Sequence, residues 1–124
     1  LPSDIGYRWI RGLGGRRHTP AGTATPNAGW NVKAFRDYAD YMATEPFADG
    51  MDELLAILGT RTPAIMCSEA VPWRCHRRLI TDALLVRGMD VRHIMSPTQT
   101  TTATLTPFAV VDGNRITYPP PSDP

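Results

Sequence analysis

The sequence predicts an α/β fold: a small three-layer sandwich around a mostly parallel sheet, with a β-hairpin at the carboxyl end. Three observations predict it. Apolar residues recur at helical spacing in three stretches, short apolar or alternating runs stand beside them, and the strand, helix, strand order between residues 64 and 95 implies a right-handed crossover joining parallel neighbours. At 124 residues the chain has the length of one domain, expected over residues 1–118, followed by a proline-rich tail over 119–124.

Taken in order, residues 5–10 alternate, with Ile5, Tyr7 and Trp9 on one face, and read as a short strand. A glycine-rich turn with paired arginines follows: Gly12, Leu13, Gly14, Gly15, Arg16 and Arg17. Residues 18–29 are Thr, Pro, Ala, Gly and Asn without periodicity, a long loop of the kind that carries function. Asn31 is a candidate cap for a helix through Met42, in which Val32, Phe35, Tyr38, Ala39 and Met42 share a face. A second helix starts near Pro46, since proline is tolerated in a first turn. It carries Phe47, Met51, Leu54, Leu55 and Leu58 inward and ends at Gly59.

Ala64, Ile65 and Met66 form an apolar run into Cys67, as a strand covered on both faces would. A third helix, from about Trp73 to Arg87, places Cys75, Leu79, Ala83 and Val86 along one stripe and stops at Gly88. Residues 89–95 read as the next strand. Residues 96–106 hold six threonines and are expected to be poorly packed. Asp112-Gly113-Asn114, between two apolar runs, signals a hairpin.

Composition narrows the function. With 42% hydrophobic and 20% charged residues and a formal charge of +1, the chain has neither a polyanion-binding tail nor an acidic solvating character. It has one lysine, Lys33, among 13 basic residues, so the position of each arginine matters more than their number. No run of about twenty apolar residues occurs, which argues against a membrane span. The amino terminus lacks a basic-then-apolar leader pattern, and the two cysteines sit at a strand end and a helix start rather than in a disulfide framework. Reduced cysteines and a cytoplasmic location are therefore expected.

The chemistry concentrates in residues 67–77. Cys67 and Cys75 are candidate nucleophiles, with Glu69 and His76 as proton carriers. Arg74 and Arg77 at a helix start, joined by Arg16 and Arg17 from the glycine-rich turn, are candidate ligands for an anion. A helix amino terminus and nearby guanidinium groups both favour a thiolate. A phosphatase-type cradle does not fit, because Trp73 stands where its arginine would be and Pro72 removes an amide. A Cys/His metal site is an alternative, although adjacent Cys75 and His76 diverge by about 100° on a helix; no metal or other cofactor is assigned. Packing alone also accounts for small buried cysteines, for His93 on a strand, and for Arg78 paired with Asp82 along a helix. A non-catalytic nucleic-acid-binding or regulatory module using Arg8, Arg11, Arg16, Arg17 and His18 is a further reading.

Cys67, Glu69, Cys75, His76, Arg77 and His93, together with the Leu-Gly-Gly-x-Arg element within residues 7–17, resemble the signature of the bacterial domain of unknown function 488 family. The resemblance covers roughly residues 5–95. It implies a three-layer α/β fold and no settled activity. Members of that family begin with a strand and helix carrying Asp-Val-Arg. Nothing like it precedes Leu1, so either an amino-terminal portion is missing, which would expose a strand edge that invites a homodimer, or the chain is a shortened relative with a smaller sheet. The partners expected are thus a small anionic ligand or nucleic acid, a second copy of the chain, and no membrane.

Overall fold

A computed structural model describes residues 5–15, 19, 24–66 and 75–120. Helices α1 (Lys33–Tyr41), α2 (Glu45–Leu58) and α3 (Arg77–Val86) precede strands β1 (Arg92–Ser96), β2 (Gln99–Thr102), β3 (Val110–Asp112) and β4 (Arg115–Thr117). A short 3-10 turn, Arg11–Leu13, comes before them.

The helices form close to where the periodicity places them, except that α3 begins at Arg77 rather than near Trp73, so Cys75 and His76 precede its first turn instead of lying on its buried stripe. The first begins after Val32 rather than with an Asn31 cap, and no side chain caps it. The second carries Pro46 in its first turn and ends at Gly59, because proline lacks only an amide that the first turn leaves unpaired anyway. Each turns its apolar face inward. Tyr38, Met51, Leu79 and Tyr118 are fully buried, and Ile80, Ala83 and Phe47 nearly so. One cluster of buried residues runs from Leu13 to Tyr118. Trp30 joins the second hairpin to it, with ring centroids 4.8 Å from Phe108 and 5.3 Å from Tyr118.

The sheet differs from expectation. Among the described residues there is no parallel sheet and no three-layer sandwich. Strand β1 pairs antiparallel with β2, and β3 with β4, as two separate hairpins. The β3–β4 hairpin was legible from Asp112-Gly113-Asn114, and Gly113 takes a φ of 62°, a conformation that tight hairpin turns require and other residues resist.

Residues 5–10 are not a strand, and neither are residues 62–66. A strand exists by hydrogen bonding to a neighbour, and among the described residues no backbone segment pairs with either run. Ile5, Tyr7 and Trp9 are accordingly exposed, as is Met66. The strand edge expected to invite a second copy is therefore not formed there. Strand β1 pairs instead with the segment immediately after it, which closes a far shorter loop than a crossover does. The threonine-rich stretch, expected to be loose, supplies β2 and buries Ala103 and Thr106.

Polar ties position the pieces. Asp82, 1% exposed, accepts the Thr106 amide at 3.0 Å on one carboxylate oxygen and the Tyr118 hydroxyl at 2.8 Å on the other. These bonds replace the ion pair with Arg78 that the sequence suggested. Asn27, also buried, accepts the Tyr118 amide at 2.9 Å and donates to Asp40 at 2.7 Å, while Thr25 donates to the same carboxylate. Residues 24–30 of the long loop are thus fastened to α1 and to the end of β4. No helix among the described residues is long and apolar enough to cross a membrane.

Candidate functional site

The glycine-rich turn is held by two tyrosines. From α1, the Tyr38 hydroxyl donates to the Leu13 carbonyl at 2.8 Å and the Tyr41 hydroxyl to the Gly12 carbonyl at 2.7 Å. Their i, i+3 spacing puts both on one helix face. Glycine lets this turn come close to its neighbours. A Cβ at Gly12 would stand 2.6 Å from the Pro46 carbonyl oxygen at the start of α2, and one at Gly15 would stand 2.3 Å from the His76 Nδ1. A side chain at Gly12 would force two backbones apart, and one at Gly15 would displace the His76 ring.

His76 is therefore wedged at the start of α3, with Gly15 on one side and the Tyr38 ring, 5.0 Å between centroids, on another. Burial pushes its imidazole below the usual value. The Leu13 carbonyl beside it pulls upward, and the Arg77 charge again pushes down. A neutral imidazole at pH 7 can give or take a proton.

Cys75, 5% exposed, lies against this imidazole. Its Sγ is 3.6 Å from His76 Nδ1 and accepts the Arg77 amide at 3.4 Å. That amide is the first of α3, so the sulfur faces the positive end of the helix. Cys75 is disulfide-bonded. The chain's one other cysteine is Cys67, which lies outside the described residues. The reduced state expected from the sequence is not the one found for Cys75.

The structure thus brings together Cys75, His76 and Arg77, together with the glycine-rich turn that precedes Arg16 and Arg17. The placement of Cys67, Glu69, Arg16, Arg17 and Arg74 lies outside the described residues. Among the described residues no group of three or more His, Cys, Asp or Glu side chains is poised to hold a metal ion. That the Tyr38 and Tyr41 hydroxyls hold the turn was not foreseen from the sequence. The signal available was two tyrosines at helical spacing with a glycine-rich turn elsewhere in the chain.

Beside the site, Asp37 of α1 is 4% exposed yet bonded to Lys33 Nζ at 2.6 Å and to the Thr19 hydroxyl at 2.6 Å. The lysine first, then the threonine, hold its carboxyl below the usual range. The pair ties residue 19, just beyond the paired arginines in sequence, to α1.

A family model described as Domain of unknown function DUF488 matches residues 1–84 of the chain, which takes in the glycine-rich turn, both cysteines and most of α3. No curated protein and no solved structure matches it.

Proposed function

From the premise that this chain belongs to the domain of unknown function DUF488 family, whose description states no activity, we propose that it works as a thiol–disulfide centre built on Cys75. The observation that carries this reading is the setting of one disulfide sulfur, 3.6 Å from an imidazole nitrogen and 3.4 Å from the first amide of a helix.

Those neighbours do little for an inert cross-link and much for a sulfur that leaves as thiolate. In the reductive half-reaction, an external thiolate attacks the sulfur bonded to Cys75. The S–S bond breaks, its electron pair goes to Cys75, and a mixed disulfide forms at the attacked position. A second external thiol then releases the protein dithiol and departs as the oxidised pair. Cys75 suits the leaving role because it is buried, and because the helix terminus and the Arg77 charge stabilise the anion. His76, neutral at pH 7, relays a proton from water to the thiolate when the dithiol rests and accepts the thiol proton when the disulfide re-forms.

In sequence, the candidate residues Arg16, Arg17, Arg74 and Arg77 stand against one acid, Glu69. That majority of guanidinium groups favours an anionic low-molecular-weight thiol as co-reactant. Among the described residues no donor set supports metal binding, and the charge of +1 gives no support to nucleic-acid binding.

Equilibrating the protein in graded thiol/disulfide buffers, trapping with an alkylating reagent and counting adducts by mass spectrometry tests the proposal. Reversible conversion between no adducts and two, with the fold retained, is the expected result. A protein that loses its fold on reduction, or that resists reduction throughout, has a structural cross-link and no centre.

A further inference from the structure

Away from the Cys75 corner, a cleft of about 200 Å³ opens between α3, the first hairpin and the link that follows it. Arg78 and Thr81 line it from α3, His93 and Thr102 from the hairpin, and residues 104–107 close it. No carboxylate is among the lining residues.

Arg78 lines this cleft, and it is held in place. Its guanidinium lies over the Trp30 ring, 4.9 Å from the centroid, and its Nε donates to the Thr106 hydroxyl at 3.4 Å. Thr106 is in turn fixed by the hydrogen bond its amide donates to buried Asp82. Arg78 therefore points with little freedom left to lose. Among the described residues no acidic group stands within ion-pair distance of it, although Arg8, Lys33 and Arg92 each have one. The nearest candidate on its own helix, Asp82, spends both oxygens on Thr106 and Tyr118. A half-buried, preorganised guanidinium without a counter-charge, among hydroxyls and an imidazole, is an arrangement that favours an anion.

We propose that this cleft binds a phosphate monoester. The phosphate would lie on the Arg78 terminal nitrogens and take further bonds from the Thr102 and Thr104 hydroxyls and from His93. Donors arriving from a helix, a strand and a loop suit a tetrahedral group with three terminal oxygens better than a planar carboxylate with two. Leu105 and Pro107 give the cleft an apolar wall for the carbon part of the ester. The site uses none of the residues of the thiol–disulfide centre, and its case stands or falls separately.

Calorimetric titration of the full chain with glycerol 3-phosphate, inorganic phosphate and acetate tests it, with Trp30 fluorescence as a second readout. Saturable one-to-one binding is expected for the ester, several-fold weaker binding for inorganic phosphate, and none for acetate. Arg78→Gln should weaken ester binding by about tenfold or more, the loss of one charge-assisted hydrogen bond. Thr104→Val, at an exposed position, should weaken it several-fold with an unchanged melting temperature. Unaltered affinity in a folded Arg78→Gln or in Thr104→Val overturns the assignment. So does acetate binding as tightly as the ester, or no saturable binding of either phosphate.

Discussion

At His76 a glycine, a tyrosine ring and a sulfur meet one imidazole, and the balance of forces there sets its protonation. Burial holds its pKa below the ordinary 6.5, the Leu13 carbonyl opposes this, and the Arg77 charge adds to it. The native protein thus binds this proton less readily than the unfolded chain does. Stability should accordingly fall as pH is lowered from about 6.5 toward the native pKa, and level off below it. Asp37 acts in a separate window: its carboxyl is held below 3.8, so its contribution is present above that value and lost only in stronger acid. Urea midpoints measured between pH 7 and pH 5 should decline in the wild type and decline less in His76→Gln. Identical slopes would show that His76 is not the group responsible.

Among the elements, α3 carries most of the organisation. Its first turn faces the sulfur, its buried stripe of Leu79, Ile80 and Ala83 fills the core, and Asp82 anchors the link between the hairpins. Tyr118 reaches that carboxylate from beyond β4. Burial first, and the Asp82 charge next, hold its phenol far above the usual value, so it stays a neutral donor throughout the working pH range. Tyr118→Phe keeps the ring among Trp30 and Phe108 but leaves one buried carboxylate oxygen without its partner. A loss of about 1–3 kcal/mol is expected, read from urea denaturation, and a loss under a few tenths would mean that Asp82 is satisfied some other way. The helices themselves were legible in the sequence, because Pro46, Gly59 and the apolar period of 3.6 are local signals. The β3–β4 hairpin was legible for the same reason.

What could not be read locally belongs to the whole molecule. Alternation at Ile5, Tyr7 and Trp9 signals a half-buried strand only where another segment pairs with it, and no sequence pattern supplies that segment. The same limit hid the work of Tyr38 and Tyr41. Helical spacing shows that they turn inward, but the carbonyls they hold belong to a turn more than twenty residues earlier. The grouping of Cys75, His76 and Arg77 was legible because they are adjacent, whereas the disulfide at Cys75 was not, because residue spacing alone does not fix how a loop turns.

The corner around Cys75 is a product of the whole fold, assembled from the glycine-rich turn, α1 and the start of α3. The alkylation rate of Cys75 in the reduced protein, followed across pH by peptide mass spectrometry, tests that account most directly. A helix terminus and an imidazole acting on the sulfur predict a midpoint clearly below the ordinary thiol value of about 8.5, shifted upward in His76→Gln. A midpoint at that ordinary value, unchanged by the substitution, would contradict it.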